Sequence, residues 1–196
     1  ETGYSANAEI AVFAREGIAG EILPAEKIAT PGKSSIEDVS KLLGVEAKNT
    51  LKMVMYGAEI GTKTEFVAVA IRGELEVSET KVKNTLKARV LFAATDDMIR
   101  EAGLVPGFAS PVGMKKGVLL VDLSVPVSTN LVAGANEAGF HVKNTNYGRD
   151  YTAQTVADIA AARAGDACPV CRQPLHTTRG VEVGNIFKLG TKYSIA

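Results

Sequence analysis

The chain has 196 residues, with 22 basic and 22 acidic side chains, 46% hydrophobic and 22% charged residues; this suffices for one substantial core, or one domain with an appendage, in a soluble globular protein. No apolar run reaches the roughly 18 residues of a membrane-spanning helix, and the balanced charge removes any whole-chain argument for a nucleic-acid partner, which a local patch would have to hold. The N-terminus has no basic-then-apolar leader pattern, and the start at Glu1 without a methionine suggests a piece cut from a longer chain.

Residues 1–23 carry Tyr4-Ser5-Ala6-Asn7-Ala8-Glu9 and then a Gly- and Ala-containing stretch without a clear period. Pro24 to Gly32 reads as a connection. Ser34-Ser35-Ile36-Glu37 has the form of a capping box, with Ser34 as cap and Glu37 reaching back. Ile36, Val39 and Leu43 then share a helix face that Gly44 ends. From Asn49 to Tyr56 the pattern alternates: Leu51, Met53 and Met55 face one way, Lys52, Val54 and Tyr56 the other, as in a strand. Glu65 to Arg72 is nearly continuous in apolar character and predicts a central strand, with Gly61 turning the chain between the two. Ser78 caps a helix to about Lys87, on which Val82 and Leu86 lie at i,i+4 and the lysines form a solvated face. Arg89 to Ala93 predicts a short strand. Thr95-Asp96-Asp97 opens a further helix, hydroxyl and acids suiting its N-terminal dipole, and Gly103 closes it.

The next stretch, Val105-Pro106-Gly107-Phe108-Ala109-Ser110-Pro111-Val112-Gly113, is too rich in Gly and Pro for a helix or a regular strand. Pro111 fixes φ and restricts Ser110 to extended angles, while Gly107 allows a conformation or close approach that a side chain forbids. Two readings stand: an ordinary stiff connection between helix and strand, or a loop that presents backbone N–H groups to a ligand. The strand Val118 to Leu123 follows. From Ser128 the chain turns polar, through Ser128-Thr129-Asn130 and Gly134-Ala135-Asn136. Phe140-His141-Val142 predicts a short strand, Asn144 to Asp150 a loop, and Thr155 to Arg163 an amphipathic helix with Val156, Ile159 and Ala160 inward. Arg179 to Gly184 alternates like a strand. There are no internal repeats.

Standard catalytic motifs are missing: no GxSxG, HExxH, P-loop or GxGxxG occurs. With His141 and His176 the only histidines, a Ser-His-Asp triad is conceivable only around His141, which as readily serves structure. Lys52, set among apolar strand neighbours, either snorkels or reaches a cleft. Asn130, Asn136 and Asn146 read as turn formers. Cys168-Pro169-Val170-Cys171 has the spacing of half a zinc knuckle, with His176 a possible third ligand. A structural site needs four ligands, so the pair reads as a vestigial metal knuckle or as reduced thiols.

Several segments go further. Arg179-Gly180-Val181-Glu182-Val183-Gly184 with Phe187-Lys188-Leu189-Gly190-Thr191-Lys192-Tyr193-Ser194 closely resembles a signature of bacterial-type prolyl-tRNA synthetases, and Tyr4 to Glu9 resembles the motif preceding that family's insertion. Ala29-Thr30-Pro31-Gly32, Leu51-Lys52, Ile71-Arg72-Gly73, Leu131 to Asn136 and Tyr147-Gly148-Arg149-Asp150 occur in the family's order. The resemblance implies an editing insertion at 24–165, between a flank of the synthetic core at 1–23 and a CxxC turn with a return segment at 166–196.

It further implies a YbaK-like α+β fold, a mixed and largely antiparallel sheet with surrounding helices. The implied activity is hydrolysis of alanine mischarged onto tRNA(Pro). Gly107-Phe108-Ala109-Ser110-Pro111 matches the family's GxxxP loop, Lys52 falls on its editing lysine, and Asn130 and His141 on its pocket polar positions. The implied catalytic residues are thus Lys52, Gly107 and His141, with Phe108, Ala109, Ser110, Pro111, Asn130 and Gly134 binding substrate and Cys168 and Cys171 the candidate metal ligands. Editing implies no cofactor; the parent ligase implies ATP and magnesium, a tRNA(Pro) acceptor end, a homodimer and the cytoplasm, with no membrane partner. A free-standing deacylase and a non-catalytic tRNA-binding module are the alternatives. Two positions depart from the family: Thr2 stands where a cysteine is common, which puts zinc in question, and Asn185 where a histidine is usual.

Overall fold

A computed structural model describes residues 3–180; Thr2, Asn185 and nearly all of the predicted C-terminal strand lie outside the described residues. Two sheets organise the chain. The larger has five strands in the order β4-β2-β3-β5-β8: β2 (Leu51–Ile60) and β3 (Lys63–Arg72) form an antiparallel hairpin, β4 (Val90–Ala93) extends it antiparallel, and β5 (Val118–Asp122) and β8 (Thr155–Ala157) add in parallel. The smaller is antiparallel, with β1 (Glu26–Ala29), β7 (Phe140–Thr145) and β6 (Leu131–Gly134) in that order. A bridge between Thr50 and Val132 joins the two. This is the mixed, largely antiparallel α+β architecture expected.

Gly61, at φ +62°, takes the first central position of a two-residue hairpin turn, where a glycine is the residue of choice. The β3 segment Val67 to Ile71 is wholly buried, as its unbroken apolar run predicts for a central strand. Its alternation supplies two cores. Val67, Val69 and Leu120 pack with Val82 of α2 (Glu79–Leu86) on one face; Phe66, Ala68, Ala70, Leu119 and Val121 pack with Ile99 of α3 (Asp96–Glu101) and with Leu131 and Ala133 of the smaller sheet on the other. Met53 and Met55 border this second core and Val54 the first, so the alternation read along β2 is realised.

Helix α1 (Ile36–Leu43) ends at Gly44 with φ +64°, but its cap is Ser35, one residue later than predicted. The Ser35 hydroxyl accepts from Asp38 N–H and donates to the Asp38 carboxylate, so Asp38 takes the place assigned to Glu37. The neighbouring serine offers the same hydroxyl, and acidic residues at both 37 and 38 leave the register open in sequence. Ser78 and Thr95 cap α2 and α3 as expected.

Four predicted features differ. The connection at 24–32 contains β1, and the polar stretch after Ser128 contains β6; both are four residues long and find their hydrogen bonds on β7. The predicted helix Thr155–Arg163 is strand β8 followed by extended chain. Its amides go to β5 and to the Asp122 carboxylate, which accepts from the N–H groups of Ile159 and Ala160; this tertiary pairing overrides a helix-compatible pattern. Lys81, assigned to the solvated face of α2, is buried: its ammonium donates to the carbonyls of Ala11 and Ala160 and to Asp158.

Candidate active site

The register of the smaller sheet pairs Gly134 with His141, and the Thr50–Val132 bridge sets this pair beside the start of β2. There, a cavity of about 260 Å³ is lined by Leu51, Lys52, Met53 and Met55 of β2, Ser34, Ser35 and Ile36 at the start of α1, Gly107 and Ala109 of the loop, and Gly134 and His141. Residues 107, 109, 134 and 141 are thereby brought to one place with Lys52 across more than eighty positions of chain.

The loop packs on Gly134 so closely that a Cβ there would lie 2.2 Å from the Phe108 carbonyl oxygen and 2.4 Å from that of Ala109. Gly107 has φ +79°, and a Cβ on it would meet Ser34 Cβ at 3.1 Å; both the angle and the space demand glycine. Phe108 N–H donates to Val105 O, and Ser110 N–H to Asn136 Oδ1. Pro111 has no N–H. Within Gly107–Pro111, among the described residues, the N–H groups of Gly107 and Ala109 have no partner, and both residues border the cavity. Ser110 and Pro111 are buried, and Phe108 packs its ring on His141 with centroids 5.6 Å apart.

His141 is 6% exposed, and its Nδ1 lies 2.7 Å from the hydroxyl of fully buried Thr30. Which of the two donates follows the tautomer of the ring: the hydroxyl donates when the ring proton is on Nε2 and accepts when it is on Nδ1. Burial holds the imidazole pKa below its ordinary value, because the cation loses hydration with no carboxylate beside it. The ring is thus neutral, with one N–H and one free lone pair on its nitrogens. Lys52 sends its ammonium to Glu76, 3.2 Å away.

Asn130 does not border this cavity. At φ +57° it donates to Glu21 O, accepts from Leu23 N–H and meets Asn146, fastening the N-terminal segment to the smaller sheet. Two contributors escape sequence reasoning. Thr30 and Asn136 had as their signal only the Ala29-Thr30-Pro31-Gly32 and Leu131 to Asn136 matches, and Asn136, whose amide holds the loop, otherwise resembles any turn former. Cys168 is buried and Cys171 exposed. The turn between them is drawn tight by Arg172 N–H to Cys168 O and Cys168 N–H to Gln173 O. His176 borders the same 550 Å³ surface cavity as both cysteines, but among the described residues no group of three or more His, Cys, Asp or Glu side chains converges to hold a metal ion.

The model of the aminoacyl-tRNA editing domain family matches residues 30–151. A proline–tRNA ligase of Dehalococcoides mccartyi is 49% identical over 189 residues, which cover 96% of this chain and 32% of the relative. Those of Salinispora tropica and Persephonella marina are 46% and 44% identical, each covering 99% of this chain and 34% of the relative. The chain thus spans about a third of the length of the curated relatives it matches. Among solved structures, a putative trans-editing enzyme for prolyl tRNA synthetase superposes with a TM-score of 0.56 at 17% identity, over 70% of this chain and 87% of that one. A hypothetical protein does so at 0.57 and 17%, over 70% and 92%; these two likenesses concern the fold.

Proposed function

Because this chain belongs to the aminoacyl-tRNA editing domain family, we propose that it is the editing insertion of a bacterial-type prolyl-tRNA synthetase and hydrolyses the ester joining alanine to the 3′ end of tRNA(Pro). The observation that carries this reading is the single cavity bordered by Lys52, Gly107, Ala109, Gly134 and His141. A proline-binding synthetic site excludes alanine weakly, since the smaller side chain fits and forfeits only a few kcal/mol of contact. A second cavity of restricted size, which admits alanine and rejects the proline ring, supplies the missing discrimination.

The ester is activated, so a positioned water suffices as nucleophile and no covalent intermediate on the protein is needed. Water adds to the carbonyl carbon, the carbonyl oxygen becomes an oxyanion, the proton that the attacking water sheds passes to the ribose oxygen, and collapse of the oxyanion breaks the C–O bond to release alanine and the ribose hydroxyl. The Gly107 and Ala109 N–H groups receive the oxyanion. Such fixed donors lower the barrier because they are already oriented when charge develops. In this reading the Thr30 hydroxyl donates to Nδ1, so His141 holds its proton on Nε2 and donates to water or substrate. Lys52 leaves Glu76 to bind the terminal phosphate or ribose. ATP and magnesium serve proline ligation elsewhere in the synthetase, which in this reading is a cytoplasmic homodimer.

The test is ester loss from alanyl- and prolyl-tRNA(Pro) incubated with the chain. Turnover of the alanyl ester alone supports the reading; tRNA binding without turnover of either points to a binding module. The trans-editing name of one structural neighbour favours a second reading, a free-standing deacylase, but the matches to proline–tRNA ligases extend over residues on both sides of the editing domain.

A further inference from the structure

We propose that Asn136 is the positioning residue of the editing loop: its amide holds Gly107–Pro111 at the height over Gly134 that turns the Gly107 and Ala109 N–H groups to the substrate and closes the cavity to proline. The proposal rests on the deacylase reading above and adds to it the residue that sets geometry and selectivity.

Asn136 engages three residues of the loop with four hydrogen bonds. Its backbone N–H donates to Phe108 O at 2.9 Å. Its side-chain Oδ1 accepts from Ser110 N–H at 2.9 Å, and Nδ2 donates to Ser110 O at 3.0 Å and to Val112 O at 2.8 Å. Both amide protons and the amide oxygen are therefore committed to the loop, an assignment that fixes the amide's orientation. The role calls for an amide: a carboxylate lacks the donors and would face two carbonyls, and a hydroxyl has one proton.

The backbone of Asn136 sits at φ +51°, a left-handed conformation that Asn tolerates better than most residues. The residue thus forms the turn after β6 and, from that turn, reaches back across the loop. Its backbone N–H on Phe108 O and its Oδ1 on Ser110 N–H hold the two peptide planes that flank Ala109, whose own N–H has no partner, and its Nδ2 holds the next plane through Ser110 O. Gly134 lies directly beneath, in contact with the carbonyls of Phe108 and Ala109, so the loop has a floor and a strap. Since a displacement of about 1 Å at a donor array costs on the order of a hundredfold in rate, the strap belongs to the catalytic geometry.

The experiment compares the wild-type chain with Asn136→Gly and Asn136→Asp on alanyl- and prolyl-tRNA(Pro). Glycine accepts φ +51° without strain and removes the amide alone. For Asn136→Gly the expected result is a fall in kcat of about 10- to 100-fold, with KM within about threefold, an unchanged folded fraction and an increased prolyl-to-alanyl rate ratio. Asn136→Asp loses activity at pH 8 and regains part of it towards pH 5, where a protonated carboxyl donates to one carbonyl again. Wild-type kcat and selectivity in Asn136→Gly, or a loss that disappears on correcting for folded fraction, overturns the proposal. If the wild-type chain hydrolyses neither ester, the deacylase reading fails. The strap is then judged by the amide NMR resonances of Gly107 and Ala109, to which Asn136 makes no hydrogen bond. Their movement in Asn136→Gly upholds it, and their constancy overturns it.

Discussion

The hydroxyl of Thr30 and Nδ1 of His141 stand 2.7 Å apart, both residues buried, at a place where β1 ends and β7 begins. This contact orients the imidazole, and a hydroxyl that donates in it keeps the ring proton on Nε2. Thr30→Val keeps the shape and removes the donor, which frees the ring to adopt the other tautomer. Alanyl-ester hydrolysis is expected to fall at least tenfold, with the melting temperature displaced by no more than the loss of one hydrogen bond, about 1 kcal/mol. Wild-type turnover would show that the tautomer is irrelevant.

Burial of His141 also has a signature in stability. Its folded pKa lies below the ordinary 6.5, so between those two values the unfolded chain binds a proton that the folded chain refuses. Stability then falls as pH drops from about 6.5 through the depressed folded value, and levels off below it. His141→Gln should flatten that segment of a plot of unfolding free energy against pH. An unchanged slope would assign the effect to other groups.

Gly134→Ala tests the floor of the loop. The added methyl would sit 2.2 Å from a carbonyl oxygen of Phe108, and backbone must move to admit it. Overpacking of this kind costs about 1–3 kcal/mol. Urea unfolding should register that loss, while hydrolysis should fall further than the lost stability explains, because the displaced atoms carry the donor groups. Retained activity would mean that the loop tolerates the shift.

Lys52→Ala should raise KM for alanyl-tRNA(Pro) and weaken the salt dependence of binding, since one phosphate or ribose contact disappears. Glu76→Gln removes the competing carboxylate 3.2 Å from the ammonium and should lower KM modestly; the pair is partly exposed and is worth only about 0–1 kcal/mol. Unchanged kinetics in Lys52→Ala would remove Lys52 from the site.

Much of the larger sheet was legible because its signals are local. The β2 alternation, the Gly61 turn, the apolar run of β3, and the Ser78, Thr95 and Gly44 helix ends each sit within a few residues of what they specify. Strand β8 and the burial of Lys81 were not legible, since both depend on carboxylates distant in sequence or on a neighbouring strand. Asp158 is 77 residues from Lys81, and nothing around Lys81 distinguishes it from Lys83 or Lys87. The site divides the same way. Gly107, Lys52 and His141 were reached through family resemblance, whereas the Thr30–His141 and Asn136–Ser110 contacts are products of register and turn geometry that short-range patterns do not encode.

One buried cluster reaches beyond catalysis. Asp122, fully buried, receives the Arg15 guanidinium and the N–H groups of Ser124, Ile159 and Ala160; Arg15 also pairs with Asp158, which Lys81 shares. Burial opposes the Asp122 charge, yet Arg15 and the Ser124 contacts hold its pKa below the usual carboxylate range. Arg15→Ala leaves this charge without its counter-ion and should destabilise the fold by about 3–5 kcal/mol, measurable by urea denaturation. For anyone grafting this editing domain onto another protein, the transplantable unit consequently starts upstream of Arg15. A graft joined at residue 24 would carry a buried anion whose cation stayed behind in the donor.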